Sequence, residues 1–335
     1  MKITVLMGGA SSERDVSLAS GLRIVDALRS RGHSVSAFDP ATGTIDEDIL
    51  EALRSSQVGV APPSLDALRG LSTTSLRTDL ASTPDIRNAD VVFLGLHGGQ
   101  GEDGTVQALL DMAGVVYTGS GHLASALAMD KDLSKILFRA ANVGTADWLM
   151  APQDVDTVER QLGFPVIVKP SKQGSTVGLT VVKHRDAFEE AVKEASQYDD
   201  EVMIERFIPG RELTVAVLGG EPLPVGEIKA KHEIYDYECK YTPGMASEEF
   251  PANLSLSDTK EVQAQAVRAF RALKLQGCAR IDFRMDASGA FYCLEANTLP
   301  GMTGLSLVPQ AAEAAGIGFE ELCERIVLLA IGYES

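Results

Sequence analysis

The sequence predicts an α/β protein that begins with a small sheet of parallel strands and continues into a strand-rich region. An apolar, β-branched run at residues 3–7 meets Gly8-Gly9, and apolar residues at helical spacing follow. These helical positions are Leu18, Leu22, Val25 and Leu28. A strand, a glycine turn and a helix in this order are typical of parallel sheets that bind ligands at the carboxyl ends of their strands.

Two further apolar runs complete the predicted sheet. Residues 35–38 and 91–96 have the apolar character of strands that are buried on both faces. At the start of the first helix, Ser12 and Asp15 have the spacing of a capping box, which leaves Glu13 in the first turn near the positive end of the helix. Residues 54–88 are interrupted by Ser, Thr and Pro and predict no definite element.

Helices and strands alternate through the rest of the chain. Residues 164–169 predict a strand that ends at Pro170, and strands predominate from Val202 onward, with a clear example at residues 214–218. Helical spacing occurs at residues 123–141, 258–273 and 318–331. We expect three domains with bounds near residues 97 and 187, covering residues 1–97, 98–187 and 188–335.

The composition favours a globular protein and argues against several classes of function. The chain has 335 residues, of which 45% are hydrophobic, and this suffices for two or three domains with a sizeable core. Its formal net charge of −17 disfavours general binding to nucleic acids or anionic lipids, because such proteins need clustered Lys and Arg. Any anionic ligand must therefore be bound by a local group of cations.

The cysteines and histidines point away from zinc sites and disulfides. The four cysteines include no C-x-x-C pair, and the five histidines show no H-x-x-H spacing. The opening apolar run is too short for the core of a signal peptide, and no apolar run reaches the roughly 18 residues of a membrane span. We expect a soluble, cytoplasmic protein with reduced thiols and with neither nucleic acid nor membrane as a partner.

The most informative segment is a predicted hairpin at residues 280–297. Both halves alternate apolar and polar residues, and a Ser-Gly pair supplies the turn. If the turn is centred there, Asp282 lies opposite Glu295. Arg280 then lies opposite Asn297 on the same face. Two carboxylates at roughly 5 Å repel each other, and a bound divalent cation removes this repulsion. An oxygen-only set of Asp, Glu and Asn suits Mg²⁺ that also binds substrate phosphates. The alternative is a solvent-facing hairpin in which the repulsion between the carboxylates is tolerated.

Residues 169–178 predict a loop that binds phosphate. The loop follows a strand end at Lys169 and contains Gly174 and Gly178, so its backbone N–H groups could surround phosphate oxygens. It lacks the Gly-Lys-Ser/Thr of a Walker A loop. Lys131, which opens a predicted helix, is a second candidate cation. Both lysines are also compatible with ordinary surface positions.

Four other segments have residues suited to a small ligand. Glu205 and Glu212 flank an apolar stretch on which an adenine could lie while a carboxylate binds the ribose. Residues 97–104 are rich in glycine and follow a predicted strand, where α/β sheets bind ligands. Residues 242–256 predict a long loop that could act as a lid, and residues 299–307 allow close backbone approach at their glycines. Each segment is also compatible with an ordinary turn or loop.

Taken together, the order and spacing of these segments resemble the D-alanine:D-alanine ligase family, ATP-grasp enzymes of cell-wall synthesis. The resemblance covers nearly the whole chain and is carried by GGASSERDVS at 8–17, HGGQGEDGTVQ at 97–107, YTGSGHLASALAMDK at 117–131, KPSKQGSTVG at 169–178, YDYECKY at 235–241, RID at 280–282 and EANTLPGMT at 295–303. It implies an N-terminal Rossmann-like parallel-sheet domain followed by a two-part ATP-grasp fold. It also implies a homodimer that ligates two D-alanine molecules through a D-alanyl phosphate and releases ADP and phosphate.

The resemblance implies three sets of residues around Mg-ATP. The lysines on the phosphates would be Lys131, Lys169 and Lys240. The residues around the adenine and ribose would be Glu205, Arg206, Phe207, Ile208 and Glu212. The ligands of two Mg²⁺ ions, for which Mn²⁺ is an alternative, would be Asp282, Glu295 and Asn297.

The resemblance also implies how the amino-acid substrates bind. Glu13 would receive the ammonium group of the first D-alanine, with His97 beside it. Arg280 and the N–H of Gly301 would stabilise the tetrahedral oxyanion. The residues on the carboxylate of the second D-alanine would be Ser306 and Leu307.

A triad of Glu13, Ser175 and Tyr241 would close the lid over the site. In the family, tyrosine at the position of Tyr241 goes with dipeptide formation, whereas relatives that make D-alanyl-D-lactate carry other residues. We therefore favour D-alanyl-D-alanine as the product.

Three positions depart from the family pattern. Gln173 stands where we expect an acid, His122 replaces an apolar residue, and Gly304-Leu305 replaces a more polar pair near the second substrate. The last change leaves open a ligase of the same fold with another acceptor, such as D-serine or D-lactate. A third hypothesis is a nucleotide-binding regulatory protein without turnover.

Overall fold

A computed structural model of the chain describes residues 1–54, 79–232, 234–235, 239, 242 and 244–332. Most of the unreadable region at residues 54–88 therefore lies outside the described residues. The same holds for Lys240 and Tyr241, which the sequence predicts to be part of the site.

The N-terminal sheet is parallel, as the sequence predicts. Its strands are β1 (Lys2–Leu6), β2 (Ser34–Asp39), β3 (Gly43–Ile45) and β4 (Val91–Leu94). They lie in the order β3-β2-β1-β4, with β2 and β4 parallel to the central β1 and a short antiparallel β3 at one edge. The helices described in this region, outside residues 55–78, are α1 (Arg14–Ser30), α2 (Glu47–Arg54), α3 (Pro84–Arg87) and α4 (Thr105–Met112). The turns after β1 and β4 open at the same end of the sheet, as parallel strands require.

The predicted capping box at the start of α1 is wrong. The N-cap residue is Glu13, and no side chain caps the helix. The hydroxyl of the preceding Ser11 instead accepts a hydrogen bond from the N–H of Glu13 at 3.2 Å and donates at 2.5 Å to the carbonyl of His97. The Glu13 side chain is therefore not used inside the helix and remains available to the loops around it.

The second sheet is antiparallel and has the order β5-β8-β6-β7. Its strands are β5 (Trp148–Met150), β6 (Val166–Pro170), β7 (Thr180–Val182) and β8 (Val202–Arg206). The helices before and within it are α5 (His122–Met129), α6 (Lys131–Ala140), α7 (Val155–Gln161) and α8 (Phe188–Ala195). The loop from Ser171 to Leu179 joins β6 to β7 and forms one end of this sheet.

The third sheet contains the predicted hairpin. Its strands are β9 (Arg211–Leu218), β10 (Glu221–Pro222), β11 (Gly226–Ala230), β12 (Ala246–Glu249), β13 (Cys278–Met285) and β14 (Phe291–Asn297). The order is β12-β11-β9-β13-β14, and β10 pairs with β9. The predicted loop at residues 242–256 is partly wrong, because residues 246–249 pair with β11. The segment Ala-Ser-Glu-Glu has little β-propensity, and the backbone of the edge strand determines its conformation.

The predicted register of the hairpin is confirmed at its four polar site residues. Asp282 pairs with Glu295, and Arg280 pairs with Asn297. A β-bulge follows directly, so that the next pair is Phe283 with Cys293. Because the bulge lies between the site residues and the turn, it leaves the four polar side chains on their common face.

Between residues 244 and 332, which the structure describes without a gap, three helices lie in the C-terminal part, α9 (Leu256–Ala272), α10 (Leu307–Ala314) and α11 (Phe319–Ala330). The sequence predicts α9 and α11 but not the short α10. One apolar cluster joins α10 and α11 to the N-terminal sheet, and it includes Val5, Leu28, Phe93, Val308 and Leu322, all of them buried. The two ends of the chain thus share a core. The domain bounds near residues 97 and 187 stay a prediction.

No helix among the described residues is both long and apolar enough to cross a lipid bilayer.

Truncating one side chain of the shared core should lower stability measurably. Leu322 is fully buried in α11, and Leu322→Ala should cost about 2–5 kcal/mol because the change leaves a cavity. Leu256→Ala is the matched control, since Leu256 also lies in a helix but is 73% exposed and should change stability by about 0.5 kcal/mol or less. Thermal unfolding of the two variants checks this, and equal midpoints would contradict the packing described.

Candidate active site

A cleft of about 980 Å³ opens between the second and third sheets. Its walls come from β6, β8, β9, β11, β13 and β14, with the loop after β6 across one end. The predicted nucleotide and metal residues that line it are Lys131, Lys169, Glu205, Arg206, Phe207, Ile208, Glu212, Asp282 and Glu295.

One wall of the cleft carries a carboxylate between two lysines. Glu205 is 2% exposed; its Oε2 accepts from the Nζ of Lys169 at 2.5 Å, and its Oε1 accepts from the Nζ of Lys135. Burial alone would raise the pKa of Glu205, but the two ammonium groups outweigh it and lower the pKa to about 2. Glu205 is therefore ionised throughout the neutral range and can accept further hydrogen bonds.

The adjoining part of the wall is an apolar stretch beside a paired carboxylate. Phe207 and Ile208 follow β8, and Arg284 donates at 3.1 Å to the carbonyl of Ile208 and at 3.0 Å to Glu212. The guanidinium of Arg284 also lies 5.7 Å from the centre of the Phe207 ring. A Cβ on Gly210 would lie 2.1 Å from the carbonyl oxygen of Met285, so only glycine lets this turn pack so closely against β13.

The opposite end of the cleft has cationic and backbone groups suited to phosphate. The Nζ of Lys131 donates to the carbonyl of Gln173 at 2.7 Å and lies 3.2 Å from Glu295, so this lysine joins the loop to the hairpin. Ser175 and Thr176 both have positive φ, 51° and 64°, in the turn where the loop reverses. This backbone conformation is strained for residues other than glycine. It is often found where backbone N–H groups point toward a ligand.

Asp282 is the centre of the polar face of the hairpin. Arg280 donates to its two oxygens at 2.9 and 2.8 Å, and Thr214 donates at 2.7 Å from the neighbouring β9. The amide nitrogen of Asn297 donates at 3.0 Å. Burial alone would lower the pKa of Arg280, but Asp282 and Glu295 outweigh it and raise this pKa. Arg280 is therefore a permanent cation at the floor of the site.

A second pocket adjoins the cleft and has the groups expected for an amino acid. Six of the predicted residues line it besides Arg280 and Asn297: Glu13, His97, Ser175, Gly301, Ser306 and Leu307. The two cavities share Gly174, Ser175, Tyr235, Arg280 and Leu307. A group bound at this junction is therefore within reach of ligands on both sides.

Glu13 and Ser175 meet at the mouth of the second pocket, and the Ser175 hydroxyl donates to the Glu13 carboxylate. His97 is buried on the pocket wall, where its Nδ1 lies 2.9 Å from the carbonyl of Leu299 and its Nε2 lies 3.0 Å from the hydroxyl of Ser20. Burial lowers the pKa of His97, which favours the neutral imidazole. Two of the three predicted triad members are therefore in contact, and Tyr241 lies outside the described residues.

Gly301 and Ser306 lie at the far side of the same pocket. A Cβ on Gly301 would lie 2.7 Å from the Oγ of Ser306, so a larger residue here would displace the Ser306 hydroxyl from its present position. The Ser306 hydroxyl accepts from the N–H of Thr303 at 2.9 Å and precedes α10 as its N-cap residue. Leu307 opens α10, and the first N–H groups of a helix are suited to bind a carboxylate.

Sequence reasoning missed four residues that shape the site: Glu102, Lys135, Thr214 and Arg284. Glu102 lies in the glycine-rich segment after β4, so its place at a strand end was an available signal. Lys135 lies one helical turn after Lys131, but its burial depends on Glu205, which is 70 residues away in the chain. Nothing in the local sequence distinguishes such a lysine from a surface one.

Comparisons with known proteins agree with this geometry. The family model described as D-ala D-ala ligase N-terminus matches residues 2–120, and the model described as D-ala D-ala ligase C-terminus matches residues 135–328. A D-alanine–D-alanine ligase of Geotalea uraniireducens (strain Rf4) is 42% identical over 331 residues, which cover 98% of this chain and 95% of that protein. One of Pediococcus pentosaceus is 41% identical over 342 residues, which cover 98% of this chain and 97% of that protein.

Solved structures of such ligases share the whole fold. The D-alanine–D-alanine ligase of Coxiella burnetii has a TM-score of 0.81 at 32% identity, covering 99% of this chain and 94% of its own. The ligase of Bacillus anthracis, solved in complex with ATP, has a TM-score of 0.76 at 30% identity, covering 99% and 97%. These ligases have the ATP-grasp fold, which confirms the predicted fold class. The chain belongs to the D-alanine–D-alanine ligase family.

Proposed function

We propose that this protein joins two D-alanine molecules to D-alanyl-D-alanine with cleavage of ATP to ADP and phosphate, for peptidoglycan precursors. The observation that carries the proposal is the junction of the two cavities at Ser175 and Arg280. There, a carboxylate bound in the amino-acid pocket meets the end of a triphosphate bound in the cleft. ATP activates the carboxylate of the first D-alanine, and the pocket holds this carboxylate beside the amine of the second D-alanine. Because the reacting groups are held together, proximity contributes much of the rate.

In this proposal each end of the cleft binds one part of ATP. The adenine lies along Arg206, Phe207 and Ile208, with its amino group at Glu205, and the ribose hydroxyls bind to Glu212. The phosphates extend toward the loop after β6, where Lys131 and Lys169 neutralise their charge. Lys240 completes this set by family resemblance alone. The burial of these charges in a cleft strengthens each contact relative to water.

We further propose that Mg²⁺ binds at the hairpin face. Among the described residues, no group of three or more His, Cys, Asp or Glu side chains could hold a metal ion, so the site depends on two carboxylates and an amide. Asp282, Glu295 and Asn297 form an oxygen donor set on one face, which fits Mg²⁺ or Mn²⁺ with phosphate oxygens as further ligands. When bound, the two ions would neutralise charge on the transferring phosphoryl group.

The chain's own residues then handle the two chemical steps. Glu13 orients the first D-alanine by its ammonium group, so that a carboxylate oxygen attacks the γ-phosphorus and ADP leaves. The amine of the second D-alanine, held by its carboxylate at Ser306 and Leu307, attacks the carbonyl carbon of the acyl phosphate. The oxygen that gains negative charge in this step lies at Arg280 and the N–H of Gly301, and collapse releases phosphate.

We also propose that the protein is a homodimer of the cytoplasm, as the family resemblance supports. Static light scattering at micromolar concentration measures the number of chains, and fractionation of cells measures the compartment.

A second candidate function is ligation to another acceptor, and Leu305 is the observation that favours it. Leu305 lines the amino-acid pocket, is 47% exposed and stands beside Gly304 where we expect a more polar pair. A less polar pocket would discriminate less against D-lactate or D-serine, because no buried polar group would be left unpaired.

One assay separates these possibilities. The protein is incubated with Mg²⁺, ATP and D-alanine, with or without equimolar D-lactate or D-serine, while phosphate is followed and products are identified by mass. We expect D-alanyl-D-alanine as the main product with one phosphate per bond. Mixed products would support the second candidate function, and absence of phosphate release would contradict the proposal and favour a binding protein without turnover.

Loss of the Arg280 guanidinium should slow turnover far more than it weakens binding of ATP. Arg280→Met should lower kcat by about a hundredfold or more, because it removes a donor that acts on charge developing in the transition state. Arg211→Met is the matched control, since Arg211 lies on the same sheet and binds Glu227 through two hydrogen bonds of 2.7 and 2.8 Å away from the cleft. Steady-state kinetics check this, and equal losses in both variants would argue against the role of Arg280.

The affinity for D-alanine should increase as the pH rises through neutrality. Burial and the neighbouring Glu13 carboxylate raise the pKa of Glu102 to about 7, and Glu102 lines the amino-acid pocket. A bound ammonium group favours the ionised form, so below pH 7 binding must expel a proton, and the KM for D-alanine should fall by up to about tenfold per pH unit. The pH dependence of KM between pH 5.5 and 8.5, roughly one and a half units either side of that pKa, measures this. An unchanged slope in Glu102→Gln would assign the effect to another group.

A further inference from the structure

Helix α6 turns two lysines toward the interior, one helical turn apart, and only one of them lines the cleft. Lys131 opens the helix and reaches the phosphate loop, whereas Lys135 has no exposed surface and lies behind the cleft wall. A fully buried lysine is costly unless it is paired, so its partners indicate what it does.

The partners of Lys135 are all fixed groups of the protein. Its ammonium donates to the Oε1 of Glu205 and, at 2.6 Å, to the hydroxyl of Thr145, which in turn donates at 2.7 Å to the carbonyl of Cys293 on β14. The Trp148 ring centre lies 5.1 Å from the same ammonium. Lys135 is therefore held from three sides and cannot reach a ligand in the cleft.

Glu205 differs from Lys135 in where its partners lie. One of its two ammonium partners, Lys135, lies behind the cleft wall, and the other lies inside the cleft. Its second partner, Lys169, lines the cleft and is a proposed phosphate ligand. Two ammonium groups share one carboxylate, so the trio carries one positive charge in excess. If Lys135 were neutral, Lys169 would be the sole counter-ion of a buried carboxylate, and phosphate would have to compete with Glu205 for it.

We propose that Lys135 is a positioning residue for nucleotide recognition: it is the fixed counter-ion of Glu205, which keeps the carboxylate aimed at the amino group of adenine and leaves Lys169 free to bind phosphate. This inference rests on the proposed nucleotide site. The two lysines of the trio then have different roles: Lys135 orients the carboxylate that reads the base, and Lys169, which lines the cleft, contacts the ligand.

The alternative is a buried ion pair that only stabilises the fold. Both alternatives predict a less stable protein when Lys135 is removed, so stability does not separate them. The choice of nucleotide base does separate the two alternatives. A carboxylate attracts the amino group of adenine and repels the carbonyl oxygen that hypoxanthine carries at the same position. Only a positioning role predicts a change in the preference for adenine.

The experiment measures binding of ADP and of IDP to the intact protein by titration calorimetry in the presence of Mg²⁺. In the wild type, ADP should bind more tightly than IDP. In Lys135→Met, affinity for ADP should fall by about tenfold or more, as expected for loss of a well-oriented charged hydrogen bond, while affinity for IDP should fall less, so that the preference shrinks.

Phe138→Leu is the matched control, because Phe138 lies on the same helix, is fully buried and carries no charge. It should lower the thermal midpoint without changing the preference for ADP. Lys135→Arg keeps the charge and should retain most of the preference. If Lys135→Met does not fold, Lys135→Gln carries the same test, since its neutral amide can still bond to Thr145 but cannot act as a counter-ion of Glu205.

A folded Lys135→Met or Lys135→Gln protein with the wild-type ratio of ADP to IDP affinity overturns the proposal. The assay needs no turnover, so its result is independent of whether D-alanine is the substrate. Absence of ADP binding in the wild type would instead overturn the nucleotide site on which both proposals rest.

Discussion

The pairing of β13 with β9 on one side and with β14 on the other is the constraint on which the site depends. This register puts Arg280, Asp282, Glu295 and Asn297 on one face, with Thr214 contributed by β9. A shift of one residue in either pair would turn these side chains into the apolar layer beneath. That layer, which includes the fully buried Ile281 and Phe283, resists such a shift. Burial of the apolar face of these strands therefore fixes which side chains lie on the polar face.

The second feature of the site is the concentration of cations in a strongly acidic protein. With a net charge of −17, long-range attraction does not bring an anionic ligand to the cleft. Lys131, Lys169 and Arg280 lie within it, each beside a carboxylate, Glu295, Glu205 or Asp282. These pairs hold the cations in place while the cleft is without ligand and leave them ready to contact phosphate. Pairing of this kind avoids the cost of isolated buried charges.

Much of the fold was predictable because it rests on local patterns. The parallel sheet follows from apolar runs separated by a glycine turn and a helix, and the hairpin register follows from alternation on either side of a Ser-Gly turn. The errors have local causes as well. The capping box at Ser12 failed because the neighbouring Ser11 binds the Glu13 N–H and the loop at His97. Residues 246–249 became a strand because an edge of the sheet was open to them.

The sequence by itself determined which residue types stand at strand ends and on the hairpin face, because the periods of strands and helices fix these positions along the chain. Only the tertiary structure decided which of them meet. Glu13 contacts Ser175 across 162 residues, and Glu205 of β8 lies between Lys135 of α6 and Lys169 of β6. The burial that raises the pKa of Glu102 and the two ammonium groups that lower the pKa of Glu205 depend likewise on segments distant in sequence. Periodicity is a property of neighbours in the chain, whereas burial and charge pairing arise from packing between elements. The chemistry of this site depends on burial and charge pairing, so it is decided by the tertiary structure.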